Sequence, residues 1–376
     1  MPDFLKKVLR MFTDGRRTVE RGFFSYFFRT TDEDYTNAEY VEIDVERTTE
    51  TVAPTLRDAR TGAVIVKSEN WKEKKFRPPL VALEEPIDLN SLLERQPGES
   101  DDADRVGTWF GRLAAKIVRA LGKFHRMIGL QVDLQAAQIM QTGTVTLYDD
   151  KDTENPSFKL DFGASPTHFP TVAVSWGTAG ATPIDDIAAL ADVVAGDGMT
   201  NPAILILGDR AWKHLLADET FQKFVQRDGL GLGSLQPGMR QRGGVYHGMA
   251  AFGDHTLEIW TFGGVYKTLG DPTPKKFLDP DAAIVTARPE DLDFRTVYGG
   301  IPTLGMEEPF TSVVPSVVTF GDVGEGTGFI RVNNRVYKDT KGDTFTAEAK
   351  SRPLSIPVSI DRYGCLKTQV AAAANA

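Results

Sequence analysis

The sequence lacks several features, and each absence excludes a class of protein. It contains one cysteine, Cys365, so no disulfide can form within the chain, and this usage is typical of a reducing compartment. No apolar run approaches the length of a transmembrane helix, and the opening residues MPDFLKKVLRMF lack the uninterrupted apolar core of a signal peptide. We therefore expect a protein that is made and folded in a cytoplasm and has no membrane contact.

Residue sets that would indicate catalysis or metal binding are also missing. The five histidines do not pair at metal-ligand spacing, and a single cysteine makes a structural zinc site improbable. Asp161-Phe162-Gly163 matches the magnesium-holding tripeptide of protein kinases, but the other kinase motifs are absent, so we interpret it as a strand end and a turn. We predict that the protein is not an enzyme and uses no cofactor or metal.

The composition is ordinary for a globular protein, with an excess of acidic residues. Of the 376 residues, 41% are hydrophobic and 25% are charged, which does not indicate disorder, and the length allows two or three domains. The formal net charge of -9 argues against a surface that binds nucleic acid throughout.

The dominant pattern is a long amphipathic helix between Ser100 and Gly143. Apolar residues recur mostly every three or four positions, which places them on one helical face: Phe110, Leu113, Ile117, Leu121, Phe124, Ile128, Val132 and Ile139. Glycines weaken this helix, so two core helices broken at Gly129 are the alternative to one continuous helix. His125 is interpreted as a residue of the polar face.

The segment that precedes residue 30 mixes basic and aromatic residues. Such a mixture can bind single-stranded nucleic acid by stacking, but here the aromatics bunch in the run FFSYFF, which favours an arm that packs on a neighbouring subunit. The expected interface residues of this arm are Phe23, Phe24, Phe27, Phe28 and Arg29.

Residues 40–83 indicate extended β structure that is too polar to bury itself. Because a lone hairpin is marginal in water, we expect this region to lie on another subunit, the alternative being a small edge sheet on one monomer. Its expected interface residues, together with two arginines of the glycine-rich segment 229–244, are Arg60, Gly62, Lys67, Trp71, Lys74, Arg77, Arg240 and Arg242.

An α/β unit follows in the second half of the chain. Thr182 is the expected cap of a helix that ends near residue 195, residues 203–207 form a buried strand, and Asp209 is the expected cap of a second helix. Further strands are expected at residues 145–148, 158–160, 257–262, 282–286, 330–337, 344–347 and 354–360.

The order of these elements resembles that of the major capsid proteins of tailed bacteriophages, and most of all the lambda-type E-protein family. The matching residues are Phe27-Phe28-Arg29, Gly62-Ala63-Val64-Ile65, Phe76-Arg77-Pro78-Pro79, Pro97-Gly98-Glu99, Thr182-Pro183-Ile184-Asp185-Asp186-Ile187, Leu207-Gly208-Asp209-Arg210-Ala211-Trp212 and Val297-Tyr298-Gly299-Gly300-Ile301. The resemblance implies an α+β, HK97-like capsid fold. Its parts would be an N-terminal arm (1–45), an extended β loop or E-loop (46–86), a peripheral domain with a spine helix (87–196), an axial α/β domain (197–293) and a return to the peripheral domain with a C-terminal tail (294–376).

The resemblance also implies a function. The chain would assemble with itself into hexamers and pentamers of an icosahedral head around double-stranded DNA, in contact with portal, scaffold and decoration proteins. DNA contact would be weak and without sequence specificity. Some capsids of this fold are cross-linked through lysine and asparagine; we expect no such bond at Asn333 or Asn334. The alternatives are an α/β hydrolase or transferase that uses the region of residues 203–212, and another self-assembling shell or tail subunit.

Overall fold

The structure, a computed structural model, describes most of the chain and shows a mixed helix and sheet protein. The described residues are 22–36, 40–45, 72–88, 109–148, 156–227, 240–241, 243–269, 271–301, 312–314, 317–323, 330–338 and 344–370. None of the helices within these ranges combines the length and the apolarity needed to cross a bilayer.

The helices of the described residues are α1 Trp109–Thr142, α2 Pro183–Gly198, α3 Asp209–Ala217 and α4 Glu219–Arg227, with 3-10 helices at Ser25–Phe27, Asp32–Asp34 and Pro166–His168. The strands are β1 Val41–Val45, β2 Lys72–Phe76, β3 Val81–Asp88, β4 Thr144–Tyr148, β5 Pro156–Asp161, β6 Ile204–Leu207, β7 Arg240–Gln241, β8 Gly244–Phe252, β9 His255–Phe262, β10 Val265–Tyr266, β11 Lys275–Lys276, β12 Ala282–Thr286, β13 Phe294–Tyr298, β14 Ser312–Val314, β15 Val317–Val323, β16 Ile330–Lys338, β17 Thr344–Ser351, β18 Pro353–Pro357 and β19 Tyr363–Lys367.

Two larger sheets organise these strands. A five-stranded sheet has the order β14-β15-β16-β17-β3, and all its pairs are antiparallel. A six-stranded sheet has the order β19-β12-β6-β9-β8-β7 and contains one parallel pair, β6 with β9. The remaining described strands form the two-stranded pairs β1-β2, β4-β5, β10-β11 and β13-β18.

Helix α1 is a single helix of 34 residues that continues through Gly122 and Gly129. At a rise of about 1.5 Å per residue its length is about 51 Å. An interior glycine costs about 1 kcal/mol relative to alanine, whereas each fully buried Leu, Ile or Phe contributes about 1.5–3 kcal/mol. Because the apolar stripe is buried along the helix, packing outweighs the glycines, and the two-helix alternative is wrong.

The two ends of α1 pack in different cores. The first half packs on the five-stranded sheet, where Leu113, Ile117 and Leu121 share a core with Val336 and Phe345. The second half, from Ala136 to Met140, belongs to a core that it shares with one face of the six-stranded sheet. The helix therefore connects the two sheets along its length.

The prediction for His125 is wrong, because its side chain is buried rather than on the polar face. His125 lies four residues after Leu121 and three before Ile128, so helical geometry places it on the apolar stripe. Its Nε2 lies 3.0 Å from Oδ1 of Asn334, an interaction that satisfies polar atoms of both buried side chains.

Strand β6 is buried on both faces of the six-stranded sheet. Ile204 and Ile206 face the core that contains α1, whereas Leu205 and Leu207 face the core that contains α2 and α3. Side chains alternate across a strand, so an entirely apolar strand is expected where both faces are covered. The predicted buried strand is confirmed.

The helix boundaries around this strand differ slightly from the expected ones. Thr182 precedes α2 but makes no side-chain capping hydrogen bond, and α2 continues to Gly198. Gly208, not Asp209, occupies the cap position of α3. A side chain at Gly208 would collide with the backbone of Asp279 and Pro280, which explains a glycine at this point.

The packing crosses the expected domain boundaries at residues 196 and 293. Helix α2, expected in the peripheral domain, packs on the six-stranded sheet through Ile187, Leu190 and Ala191. Strand β19, expected in the C-terminal return, pairs with β12 at the edge of the same sheet. The six-stranded sheet therefore contains strands from two of the expected segments, and a helix from a third segment packs on it.

The kinase-like tripeptide forms the strand end and turn that the sequence predicts. Strand β5 ends at Asp161, and the backbone N–H of Gly163 donates to Oδ1 of Asp161 at 2.8 Å. Gly163 has a φ of 78°, a conformation that favours glycine. The tripeptide closes a turn after the β4-β5 hairpin.

Candidate assembly surfaces

The four phenylalanines predicted to pack on a neighbouring subunit lie in the chain's own core. Phe23, Phe24, Phe27 and Phe28 are all buried, with exposed fractions of 7%, 0%, 4% and 1%. The structure thus shows these four side chains packed within their own chain. A role for them at an interface between subunits stays a prediction.

Specific ring contacts hold this segment in place. Phe23 stacks on Phe262 of β9 with ring centroids 4.7 Å apart, and Phe24 meets the same ring edge to face at 5.2 Å. Phe28 lies 5.0 Å from Phe294 of β13. Aromatic pairs in these geometries add to the free energy that burial alone provides.

Backbone hydrogen bonds attach the same segment to β13. The N–H of Arg29 donates to the carbonyl of Phe294 at 2.8 Å, and the N–H of Thr296 donates to the carbonyl of Arg29 at 2.7 Å. The guanidinium of Arg29 is exposed and donates to the carbonyl of Pro289 at 2.8 Å. Arg29 is thus bound to its own chain, and a role at an interface stays a prediction.

Asp133 anchors the segment to α1 and was not among the predicted site residues. Its buried Oδ1 accepts the backbone N–H of Ser25 at 2.8 Å, and a side chain at Gly22 would collide with the same carboxyl group. Burial raises the pKa of Asp133, and its hydrogen bonds with Ser25 partly oppose that rise. One signal was present in the sequence, since Asp133 is the only acidic residue of α1.

The β1-β2 ribbon is a two-stranded sheet whose first residue, Val41, lies in the chain's own core. Its antiparallel register places Ile43 opposite Lys74. Tyr40, directly before β1, is exposed by 51%, and Leu80, four residues after β2, is exposed by 47%. A two-stranded sheet is marginal in water without further packing, so this ribbon is a candidate surface for contacts with another chain.

The other predicted interface residues have different positions. Arg60, Gly62, Lys67, Trp71 and Arg242 lie outside the described residues. Arg77 is exposed directly after β2. Arg240 lies in β7, the two-residue strand at the edge of the six-stranded sheet, and pairs there with Val245 of β8.

Two solved structures have the fold of this chain. A prophage protein of Escherichia coli CFT073, assigned as a capsid protein, matches with a TM-score of 0.57 and 15% identity over 96% of this chain and 98% of the other. A phage-related protein of Bordetella bronchiseptica RB50 matches with a TM-score of 0.50 and 11% identity over 96% of both chains. The fold is therefore of the HK97-like capsid class.

The family follows from the sequence itself. Residues 18–361 match the family model of the phage major capsid protein E. The chain belongs to this family, and it is a shell-forming capsid protein of the virion. No curated protein matches the sequence significantly.

Proposed function

We propose that copies of this chain form the hexamers and pentamers of an icosahedral phage head that encloses double-stranded DNA. Assembly would take place in the host cytoplasm with portal, scaffold and decoration proteins. The membership in the phage major capsid protein E family carries this proposal. Closed shells of identical subunits require repeated contacts between the same surfaces, which is how homo-oligomers reach symmetry.

The β1-β2 ribbon supports the proposal because it has unsatisfied packing surface. A neighbouring subunit would cover Tyr40 and Leu80 and would supply the packing that two strands lack. Lys74 lies in β2 of the ribbon, and Arg77 directly follows β2. Among the described residues of the expected extended loop, we propose these two as contacts with the neighbouring subunit. Residues 46–71 would extend the same contact.

The geometry of the α/β unit formed by α2, β6 and α3 supports a structural rather than a catalytic role. At the carboxyl end of β6, Asp209 pairs with Lys276 at 2.7 Å and Arg210 pairs with Asp281 at 3.3 Å. The hydrogen bond from Lys276 lowers the pKa of Asp209, so this carboxylate stays charged and is not poised to move protons near neutral pH.

The free cysteine supports the same interpretation. Cys365 is buried in β19, and burial raises the pKa of its thiol to about 12. A thiolate, not a thiol, is the effective nucleophile. Cys365 therefore suits core packing and does not suit covalent catalysis.

The proposal is tested by electron microscopy and light scattering of the purified full-length chain, with and without a scaffold protein. We expect rings, tubes or closed shells that contain six-fold and five-fold capsomers. A strict monomer at every concentration, including in the presence of scaffold, would contradict the proposal.

An arm deletion sharpens this test. Because Phe23, Phe24, Phe27 and Phe28 are part of the core, a deletion should stop at residue 21. We expect the chain without residues 1–21 to remain folded but to lose the ability to assemble into shells. Normal shells from this truncated chain would contradict a role of the arm between subunits.

A further inference from the structure

We propose that the exposed face of α1 between Arg112 and Arg126 binds the phosphate backbone of nucleic acid without reading its sequence. This inference rests on the proposed function, since a shell around DNA presents part of its surface to that DNA. It names the surface of the subunit that makes the contact.

Five cationic residues follow one line along α1. They recur at intervals of four, three, four and three residues, so they lie on one side of the helix: Arg112, Lys116, Arg119, Lys123 and Arg126. At about 1.5 Å per residue the line is about 21 Å long. Arg119, Lys123 and Arg126 are exposed, and the two residues before them are half-buried.

The line of cations lies opposite the buried face of the helix. Leu113, Ile117 and Leu121 pack on the five-stranded sheet, which leaves the cationic side toward solvent. The only acidic residue of α1 is Asp133, which lies beyond the line and is buried under Ser25. A positive face of this kind contrasts with the net charge of -9 for the whole chain.

One neighbouring strand contributes acidic groups. Glu85 of β3 pairs with Lys123 at 3.1 Å, and both side chains are about half exposed. Glu84 points to the other side of β3, because side chains alternate along a strand. An exposed ion pair contributes little to stability, so Lys123 can exchange Glu85 for a phosphate group.

The chemistry of the face favours phosphates over bases. Duplex DNA carries one phosphate per about 3.4 Å of axis on each strand, so a line of about 21 Å extends along about six phosphates. The residues beside the cations are small or aliphatic, and no aromatic ring among the exposed residues of this face offers a stacking platform. Nothing lies within 4 Å of a Cβ placed at Gly122, which leaves room for a close approach.

The test compares two triple variants of the full-length subunit in titrations with a short DNA duplex of random sequence. The first variant, Arg119→Gln with Lys123→Gln and Arg126→Gln, removes the exposed cations of the line. The matched control, Lys159→Gln with Lys213→Gln and Lys267→Gln, makes the same change in charge at three exposed lysines elsewhere. Glutamine has a helix propensity close to those of lysine and arginine, and the three control lysines are exposed, so both variants should fold.

The expected result is a change in salt dependence. Each lost phosphate contact reduces the magnitude of the slope of log affinity against log salt concentration by about 0.9. The slope of the first variant, which loses three contacts, should therefore be smaller in magnitude by about 2.7, and the slope of the control should be unchanged. Fluorescence anisotropy from low to physiological salt measures both slopes. Equal losses in the two variants, or an unchanged slope in the first, would overturn the inference.

Two further measurements separate the possible failures. If polyglutamate of equal charge binds as tightly as DNA, the face takes an acidic protein segment and the nucleic-acid assignment is overturned. Electron microscopy of both variants tests assembly independently. Wild-type protein that forms no shell would contradict the proposed function. A first variant that still forms shells but has a reduced salt dependence of DNA binding would support the inference about α1 separately from the role in assembly.

Discussion

Two regions near the start of the chain differ both in sequence and in structural surroundings. Residues 23–28 and the β1-β2 ribbon were both expected to pack on other subunits. The first region fills a space between α1, β9 and β13 of its own chain. The second forms a two-stranded sheet, and exposed Tyr40 and Leu80 lie next to its strands in the sequence.

The difference shows that an apolar segment has to bury its side chains against some surface. Its sequence does not specify whether that surface belongs to the same chain or to another subunit. Where the same chain offers a complementary groove, intramolecular packing wins, because it avoids the entropy that association costs. A two-stranded ribbon with exposed apolar side chains next to it gains packing when a partner covers it. We therefore expect the first region to govern the stability of one subunit and the second to govern association.

The largest expected effect is a loss of subunit stability from the first region. Phe24→Ala or Phe28→Ala should lower the free energy of unfolding by about 3–5 kcal/mol, because each leaves a cavity in the core. Tyr26→Ala is the matched control, since Tyr26 lies in the same segment but is exposed, and it should cost less than about 1 kcal/mol. Denaturant unfolding of the unassembled subunit measures both. If Tyr26→Ala lowered the free energy of unfolding as much as Phe24→Ala or Phe28→Ala, the burial of the first region would not explain its contribution to stability.

A smaller effect is expected at the anchor of the same region. Asp133→Ala removes the acceptor of a buried N–H of Ser25 and should cost about 1–3 kcal/mol. Asp133→Asn keeps an acceptor oxygen and removes the charge, so it should cost less at neutral pH.

The pH dependence of these variants has a defined sign. Burial raises the pKa of Asp133 in the folded state above its unfolded value of 3.8. Its contribution to stability is therefore complete below the unfolded pKa and is lost as the pH rises through the folded pKa. Relative to Asp133→Asn, the wild type should become less stable across that rise. Parallel stability curves for the two proteins would contradict a buried carboxylate at this anchor.

The helix that the first region covers provides a test with a gain of stability. Gly122→Ala should raise the free energy of unfolding by about 0.5–1 kcal/mol, because the site is helical and a Cβ there meets nothing within 4 Å. Gly208→Ala is the contrasting variant and should destabilise, since its Cβ would collide with the backbone of Asp279 and Pro280. Thermal unfolding of both proteins measures the difference. A loss of stability at Gly122 would indicate that the helix is not straight at this position.

The smallest expected effect on subunit stability comes from the second region. Tyr40→Ser and Leu80→Ser should change the free energy of unfolding by less than about 0.5 kcal/mol, because both side chains are exposed. The same variants should reduce the yield of shells by electron microscopy. Val174→Ser, which alters another exposed apolar side chain, is the control. Normal shells from the ribbon variants would remove the ribbon from the proposed contacts.

Local patterns determined the elements of this protein from the sequence alone. The spacing of apolar residues predicts a long helix between residues 100 and 143, where the structure has α1, and residues 203–207 are predicted as a buried strand, which β6 confirms. The order of elements and short motifs predicts the family, which residues 18–361 confirm. These patterns succeed because helical and strand periodicity depends on residues only a few positions apart.

The tertiary structure alone decided where these elements pack. It places Phe23, Phe24, Phe27 and Phe28 in the subunit core and connects Ser25 to Asp133 across 108 positions. It also turns His125 inward to Asn334 and sets β19 beside β12. Such contacts join residues that no short window of sequence contains together. The partner of an apolar or polar group is therefore chosen by which surfaces the complete fold brings within reach.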